Sequence, residues 1–294
     1  MYNQIEANKR RSVFLIVFFF LFIIGLGYLL GLYNGDYYST IVLAALISVV
    51  MTLVSYFKGD SIALSLSGSK PISREENPYL YNMVENLCIT SGVPVPKIYL
   101  MEESAINAFA TGRKPALASI SVTRGALEKL ENEELEGVLA HELSHIQNYD
   151  IRFMMLVAVL VGTLSILADI LFRTRIFGGG RKSDREGGGA GILGIIGIVL
   201  ALLSPFIAEL IKLAVSRQRE YLADASGSLL TRYPEGLAKA LEKIGAENQP
   251  LSRPSSATAH LFFANPFGGS KLKSLFSTHP PIEERVKKLR GMGA

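Results

Sequence analysis

Four long apolar runs constrain this chain more than any other feature of its sequence. Val13 to Tyr33 holds no charged residue and directly follows the basic cluster Lys9-Arg10-Arg11. At about 1.5 Å of rise per helical residue, a run of that length crosses the ~30 Å hydrocarbon core of a bilayer. It exceeds the apolar region of an export signal, and no small-residue cleavage pattern follows it, so an uncleaved membrane helix is expected. Ile41 to Phe57 is the second run, Ile151 to Phe172 the third, and Gly191 to Ala208, with Pro205 inside it, the fourth. A soluble core does not require uncharged runs of this length. The 49% of hydrophobic residues in 294 therefore marks membrane segments joined to a modest soluble domain.

Charge placement sets the orientation. The connection Gly31 to Thr40 carries Asp36 and no lysine or arginine, whereas Lys58, Lys70 and Arg74 follow the second run. Positive residues stay on the cytoplasmic side, which puts the N-terminus and everything after Lys58 there. The third and fourth runs are long enough to span and return, although the loop between them holds Arg173, Arg175, Arg181, Lys182 and Arg185, which the same rule disfavours outside. The expectation is four spans in a cytoplasmic membrane, with both termini and the soluble domain in the cytoplasm. The net charge of +4, gathered beside the apolar runs, suits anionic lipid headgroups, and no basic stripe interleaved with aromatics points to nucleic acid. The single cysteine, Cys88, cannot form an internal disulfide and reads as a small buried apolar side chain.

This divides the chain into an N-terminal transmembrane hairpin (1–57), the first half of a soluble domain (58–150), a second hairpin (151–215) and the second half of that domain (216–294). Within the soluble halves, Ile62 to Leu66, Lys97 to Met101 and Ser119 to Thr123 alternate like half-buried strands, while Pro78 to Ser91 and Arg124 to Leu130 read as helices. Asn132 is placed to cap a further helix whose first turns are acidic, with Glu133, Glu134 and Glu136. Pro280-Pro281, with Glu283 and Glu284 behind them, start a closing helix.

The acidic-capped helix carries His141-Glu142-Leu143-Ser144-His145. Residues i and i+4 share a helix face, so His141 and His145 can aim two imidazoles at one zinc ion. Glu142 points elsewhere and suits a general base towards a water held at the ion. The third ligand stays open among His260, His279, Asp150, Glu220 and Asp224. Asn148 and Ile151 stand where one zinc-protease extension needs Gly and His, which excludes that class. Glu220 and Asp224 lie four apart on a helix otherwise basic at Arg217 and Arg219, so one carboxylate can bind metal while the other orients a histidine. His260, in a Ser/Pro/Gly-rich stretch from Pro250 to Ser270 expected to be mobile, is given no role. The acidic residues flanking the motif (Glu131, Glu133, Glu134, Glu136, Asp150) argue against a site inside the bilayer. Three good ligands and no second cysteine argue against a closed structural zinc.

Taken together, His141-Glu-Leu-Ser-His145, Arg217-x-x-Glu220-x-x-Ala223-Asp224, Asn107-Ala-Phe-Ala-Thr-Gly112 and Ser277-Thr-His279-Pro-Pro281 resemble the HtpX-type membrane zinc metalloproteases, relatives of the CAAX prenyl endopeptidases. The resemblance covers nearly the whole chain. It implies an α+β zincin-like protease domain, mostly helical with a small antiparallel sheet, joined to four transmembrane helices. It implies one zinc per chain with Glu220 as third ligand and Asp224 behind a ligand histidine. It also implies an edge strand from Asn107 to Gly112, with Asn107, Ala108 and Phe109 binding polypeptide substrate, and His279 as a donor to the developing oxyanion. The implied role is stress-linked quality control: endoproteolysis of damaged or misassembled membrane proteins.

Overall fold

The computed structural model describes residues 2–177, 207, 210, 216–268 and 280–292. Two long helices open the chain, α1 (Tyr2–Asn34) and α2 (Tyr37–Leu66). Both are long and apolar enough to cross a membrane, by length and composition. They pack side by side, and their outer faces leave Phe14 64% and Leu46 61% exposed, which suits lipid rather than water. Asp36 caps α2 by accepting the Ser39 N–H at 3.1 Å, and the turn Gly35-Asp36 is tighter than the expected connection from Gly31 to Thr40.

The expected strand at Ile62 to Leu66 is instead the last turn and a half of α2. Nothing between Phe57 and Gly68 breaks a helix, and five alternating residues cannot distinguish a strand from one helical face. Ala63 and Leu64 are buried against Met101, Ala105 and Leu261, so this extension roots the membrane hairpin in the soluble domain.

Four strands form one sheet in the order β1-β2-β4-β3: β1 (Lys70–Pro71), β2 (Lys97–Met101), β3 (Ala108–Thr111) and β4 (Ser119–Thr123). The sheet is mixed rather than antiparallel. β1 runs antiparallel to β2, and β3 to β4, but β2 pairs parallel to β4 with Ile98 opposite Ile120. The cause is the route of the chain. β3 folds back as a hairpin on β4 from the outside, and β4 is thereby inserted next to β2 in the same direction. Both expected strands at 97–101 and 119–123 form with those bounds, as does the expected helix at 78–91, here α3 (Pro78–Ser91), capped by Asn77.

A short α4 (Arg124–Lys129) leads into α5 (Asn132–Gln147), the motif helix. Its cap is Glu131 rather than Asn132: the Glu134 carboxylate reaches back to accept the Glu131 N–H at 2.8 Å. From Glu134 to Ile146 nearly every residue of α5 is buried, because α3, β3, α7 (Arg217–Thr231) and α8 (Pro234–Glu247) surround it. After Gln147 the chain turns by 85° into α6 (Asp150–Phe177), which contains the third apolar run and packs against α1 and α2. The fourth run lies, apart from Ile207, outside the described residues, as does His279. The closing helix forms as α9 (Ile282–Arg290), with Pro281 at its cap.

The seating of α7 on α5 depends on the absence of a side chain at Gly227. A Cβ there would lie 2.9 Å from the His141 backbone nitrogen and 3.1 Å from the Ala140 carbonyl carbon. Gly227→Ala should therefore force the two helices apart and lower stability by about 1–3 kcal/mol, as overpacking does. Gly162→Ala, where the nearest atom to a new Cβ is 3.5 Å away, should leave the melting temperature nearly unchanged. Thermal unfolding of the two variants beside the parent checks this.

Candidate metal centre

Two turns of α5 set the geometry. His141 and His145 lie on one face, both nearly without solvent exposure, and their Nε2 atoms stand 3.1 Å apart. From α7, Glu220 brings one carboxylate oxygen to 3.7 Å from His141 Nε2 and the other to 3.6 Å from His145 Nε2. These three residues form the group able to hold a metal ion among the described residues, with one ligand atom from each lying within 4.8 Å of the others. Tetrahedral zinc with bonds of about 2.0–2.1 Å needs ligand atoms roughly 3.3 Å apart, and the observed spacing suits it.

Each histidine is turned by a carboxylate on its far nitrogen. His141 Nδ1 lies 2.9 Å from Asp224 Oδ1, and His145 Nδ1 lies 3.0 Å from Asp150 Oδ2. A carboxylate accepts, so in its neutral form each imidazole carries its proton on Nδ1 and turns the Nε2 lone pair to the shared point. Asp224 thus sits behind His141, and Asp150, one of the open candidates for third ligand, sits behind His145 instead. Asp224 is in turn gripped by Arg285 of α9, whose Nη2 and Nε donate to its two oxygens at 2.6 and 2.9 Å. Arg285 is fully buried, with its guanidinium 4.9 Å from the Phe263 ring, and Phe263 stands edge-on to His141 at 4.9 Å.

The electrostatics fit a divalent cation. Glu142, Asp150, Glu220 and Asp224 are buried, and two buried guanidiniums, Arg219 and Arg285, face them. Four formal negative charges against two positive leave two unbalanced in a dry site, where uncompensated charge is costly. The titrating groups respond accordingly. Burial pushes Glu142 up to about 7, with the Glu220 charge adding to the rise. Burial pulls His145 down, but Asp150 and Glu220 outweigh it and lift it to about 9, so a proton takes up part of the missing positive charge. Burial drives His141 to about 4 against the opposing pull of Asp224. Asp224 is raised by burial yet held at about 2 by Arg285 and His141.

β3 lies along the same centre. The Ala110 N–H reaches the Glu142 carboxylate, which ties this edge position to the residue next to His141 on α5. Further along the edge, the chain's own residues 262–264 already pair with β3: the Phe263 N–H donates to the Ala108 carbonyl at 2.8 Å. The Asn107 side chain brackets Ala264, donating to its carbonyl at 3.0 Å and accepting its N–H at 3.1 Å, and Phe109 meets Phe262 edge-on at 5.0 Å. The stretch expected to be mobile is therefore packed. His260 within it is buried, its Nε2 2.9 Å from the Met154 carbonyl oxygen of α6, remote from the ligands. Sequence reading missed Arg285, which carries a faint signal, an arginine among exposed helix charges that falls on the apolar face with Val286 and Leu289. Ala110 lies inside the Asn107 to Gly112 motif but is not among the three residues singled out from it.

A family model described as Peptidase family M48 matches residues 74–293. "Protease HtpX homolog" of Dictyoglomus turgidum is 46% identical over 294 residues, covering 99% of this chain and 95% of that protein. The protein of the same name from Tropheryma whipplei is 44% identical over 293 residues, covering 100% of this chain and 99% of its own. The crystal structure of S. mikatae Ste24p superposes with a TM-score of 0.53 at 20% identity, covering 98% of this chain and 67% of that one, a likeness of fold.

The raised Glu142 carboxyl makes a prediction for the metal-free protein. An acid whose folded pKa lies above its unfolded value of about 4.3 costs stability as pH rises between the two, and the cost then stays. Glu142→Gln removes it. In the presence of chelator, the variant should melt above the parent at pH 8, with the gap closing as pH falls towards 4.

Proposed function

The chain belongs to peptidase family M48 and is a metallopeptidase of the HtpX type, and from that premise we propose that it is a membrane-anchored zinc endopeptidase acting on the cytoplasmic face of a bacterial inner membrane. The convergence of His141, His145 and Glu220 on one point, in a buried pocket short of two positive charges, carries the reading. These three residues would hold one zinc ion per chain. Zinc supplies Lewis-acid chemistry there, polarising a carbonyl and lowering the pKa of water to about 7.

The chain's own residues do the rest. Asp224 and Asp150 hold each neutral imidazole in the tautomer whose Nε2 lone pair faces the shared point. Glu142, desolvated and one residue from a ligand, takes a proton from the attacking water and passes it to the leaving amide nitrogen. Beside a bound cation, Glu142 would be drawn back from its raised pKa into the range of an ionised base. An extended polypeptide adds to the outer edge of β3 at Ala110, and reaches Ala108 and Asn107 by displacing residues 262–264. Backbone pairing of that kind gives affinity with little sequence preference, which suits a protease for damaged or misassembled membrane proteins. His279, by likeness of motif, donates to the developing oxyanion. The membrane contribution extends from α1 and α2 to the third and fourth apolar runs, giving four spans with the ligands on one side.

Cleavage of an unfolded membrane protein by the purified full chain, with and without chelator, tests the activity. Glu142→Gln should keep zinc and lose about 10²–10⁴-fold in turnover, the usual contribution of a general base. Glu220→Ala should lose zinc. Full zinc occupancy in Glu220→Ala, with loss in His279→Ala, would reassign the ligands. For topology, cysteine introduced at Ser183 in a Cys88→Ser background should react with an impermeant maleimide from outside the intact membrane. Labelling only after that membrane is broken would leave two true spans.

A further inference from the structure

The corner between α5 and α6 joins the metal centre to the first membrane helix. Asn8 lies on α1 just ahead of the basic cluster and the first apolar run, and its side chain is 2% exposed. Its amide nitrogen donates to the Asn148 carbonyl at 2.9 Å and to Asp150 Oδ1 at 2.6 Å. The other Asp150 oxygen accepts from His145 Nδ1, and Arg219 Nε lies 2.8 Å from Oδ1. Between Asn148 and Asp150, Tyr149 adopts φ 60, a left-handed conformation rare outside glycine, and its ring lies under Lys9 of α1 at 5.2 Å and Arg152 of α6 at 5.1 Å. Such a turn persists only when its surroundings hold it. Two residues of α1, Asn8 and Lys9, are among those surroundings.

We propose that Asp150 is a positioning residue for the His145 imidazole and that Asn8 of the first membrane helix sets Asp150 in turn, so that this helix is part of the metal centre as well as an anchor. The proposal rests on the reading of His145 as a zinc ligand. Without Asp150 the His145 ring is free to rotate and to exchange tautomers, and a fraction of molecules then presents no lone pair to the ion. Without Asn8, Asp150 keeps Arg219 but loses the donor that fixes the rotation of its carboxylate and ties it to the Asn148 corner. The effect belongs to the ligand's orientation, so it appears in metal affinity and not only in turnover.

The test uses the full chain in detergent or nanodiscs. Zinc affinity is measured by competition with a chromophoric chelator, ligand geometry by the visible bands of the cobalt-substituted protein, and stability by thermal unfolding of the metal-free form. His145→Ala serves as reference and should abolish tight binding. Asp150→Ala should weaken zinc about 10- to 100-fold, the usual worth of a group orienting a ligand histidine, and Asp150→Asn should restore part of it. Asn8→Ala should weaken zinc about 3- to 10-fold, what one hydrogen bond contributes, shift the cobalt bands, and add nothing in the Asp150→Ala background. Leu15→Ala strips packing from the same helix without touching the network, and should lower the melting temperature while leaving zinc affinity and cobalt bands unchanged. The proposal is overturned if Asn8→Ala alters stability alone, or if Leu15→Ala weakens zinc as much as Asn8→Ala does. Intact zinc binding in Asp150→Ala, with loss in His145→Ala, would overturn it while leaving the ligand reading in place. Tight binding that survives His145→Ala would overturn the ligand reading itself.

Discussion

Asp224 and Asp150 each accept a hydrogen bond from an imidazole Nδ1–H, and much of the fold is arranged so that they can. Neither carboxylate comes from the motif helix on the face it serves. Asp224 arrives on α7 with Glu220, one turn apart, so a single helix delivers both a candidate ligand and the group that turns the opposite histidine. Asp150 arrives by way of the 85° corner, which brings the start of α6 back beside His145. The close approach of α7 at Gly227 and the left-handed Tyr149 follow from this requirement, since a bulkier contact or a straighter corner would withdraw a carboxylate from its imidazole.

Concentrating four carboxylates in a dry pocket is costly, and the surrounding positive charges are placed to limit the cost rather than cancel it. Arg285 locks both oxygens of Asp224, and Arg219 meets Asp150. Guanidinium groups suit both positions because they stay charged when buried and fill planar, forked sites. What remains negative is the part of the pocket nearest the Nε2 atoms, with Glu220 and Glu142. The rise of His145 has the same origin as the affinity of such a pocket for a cation, namely a local deficit of positive charge, whereas Glu142 rises chiefly because it is buried. A site better neutralised by its own side chains would be more stable and would bind metal less well.

Local and periodic features were legible in the sequence. The α5 motif, α3, β2, β4, the closing helix and the two opening apolar helices follow from spacing, caps and run length, which act over a few residues. What escaped was long-range or ambiguous over a short window. Ile62 to Leu66 alternates as a strand would, yet its continuity with α2 decides the matter. The parallel pairing of β2 with β4 depends on where β3 folds, which no local pattern encodes. Arg285 meets Asp224 across 61 positions and Asn8 meets Asp150 across 142, so neither leaves a periodic trace in the sequence. The Pro250–Ser270 stretch reads as loop by composition, but its residues 260–264 are held by Ala108, Asn107 and Met154, all contributed from elsewhere.

The same corner also determines where the centre stands relative to the bilayer. α6 begins at Asp150, within hydrogen-bond reach of the ligand helix, and continues without a break into an apolar segment packed on α1 and α2. The metal site therefore cannot lie far from the end of that helical bundle, whichever side faces the cytoplasm. α2 supplies a second rigid link, because Ala63 and Leu64 at its end share a core with Met101 of β2 and Phe109 of β3. The edge strand and the helix of His141 and His145 are thus both joined to long apolar helices, by different elements and through packed contacts rather than linkers. On the proposed function, a peptide bond presented close to the membrane surface would meet an edge and a metal site already aligned there, and a distant one would not. Reach, more than sequence recognition, is the selectivity such an arrangement would impose, because backbone pairing at Ala110 would read no side chain.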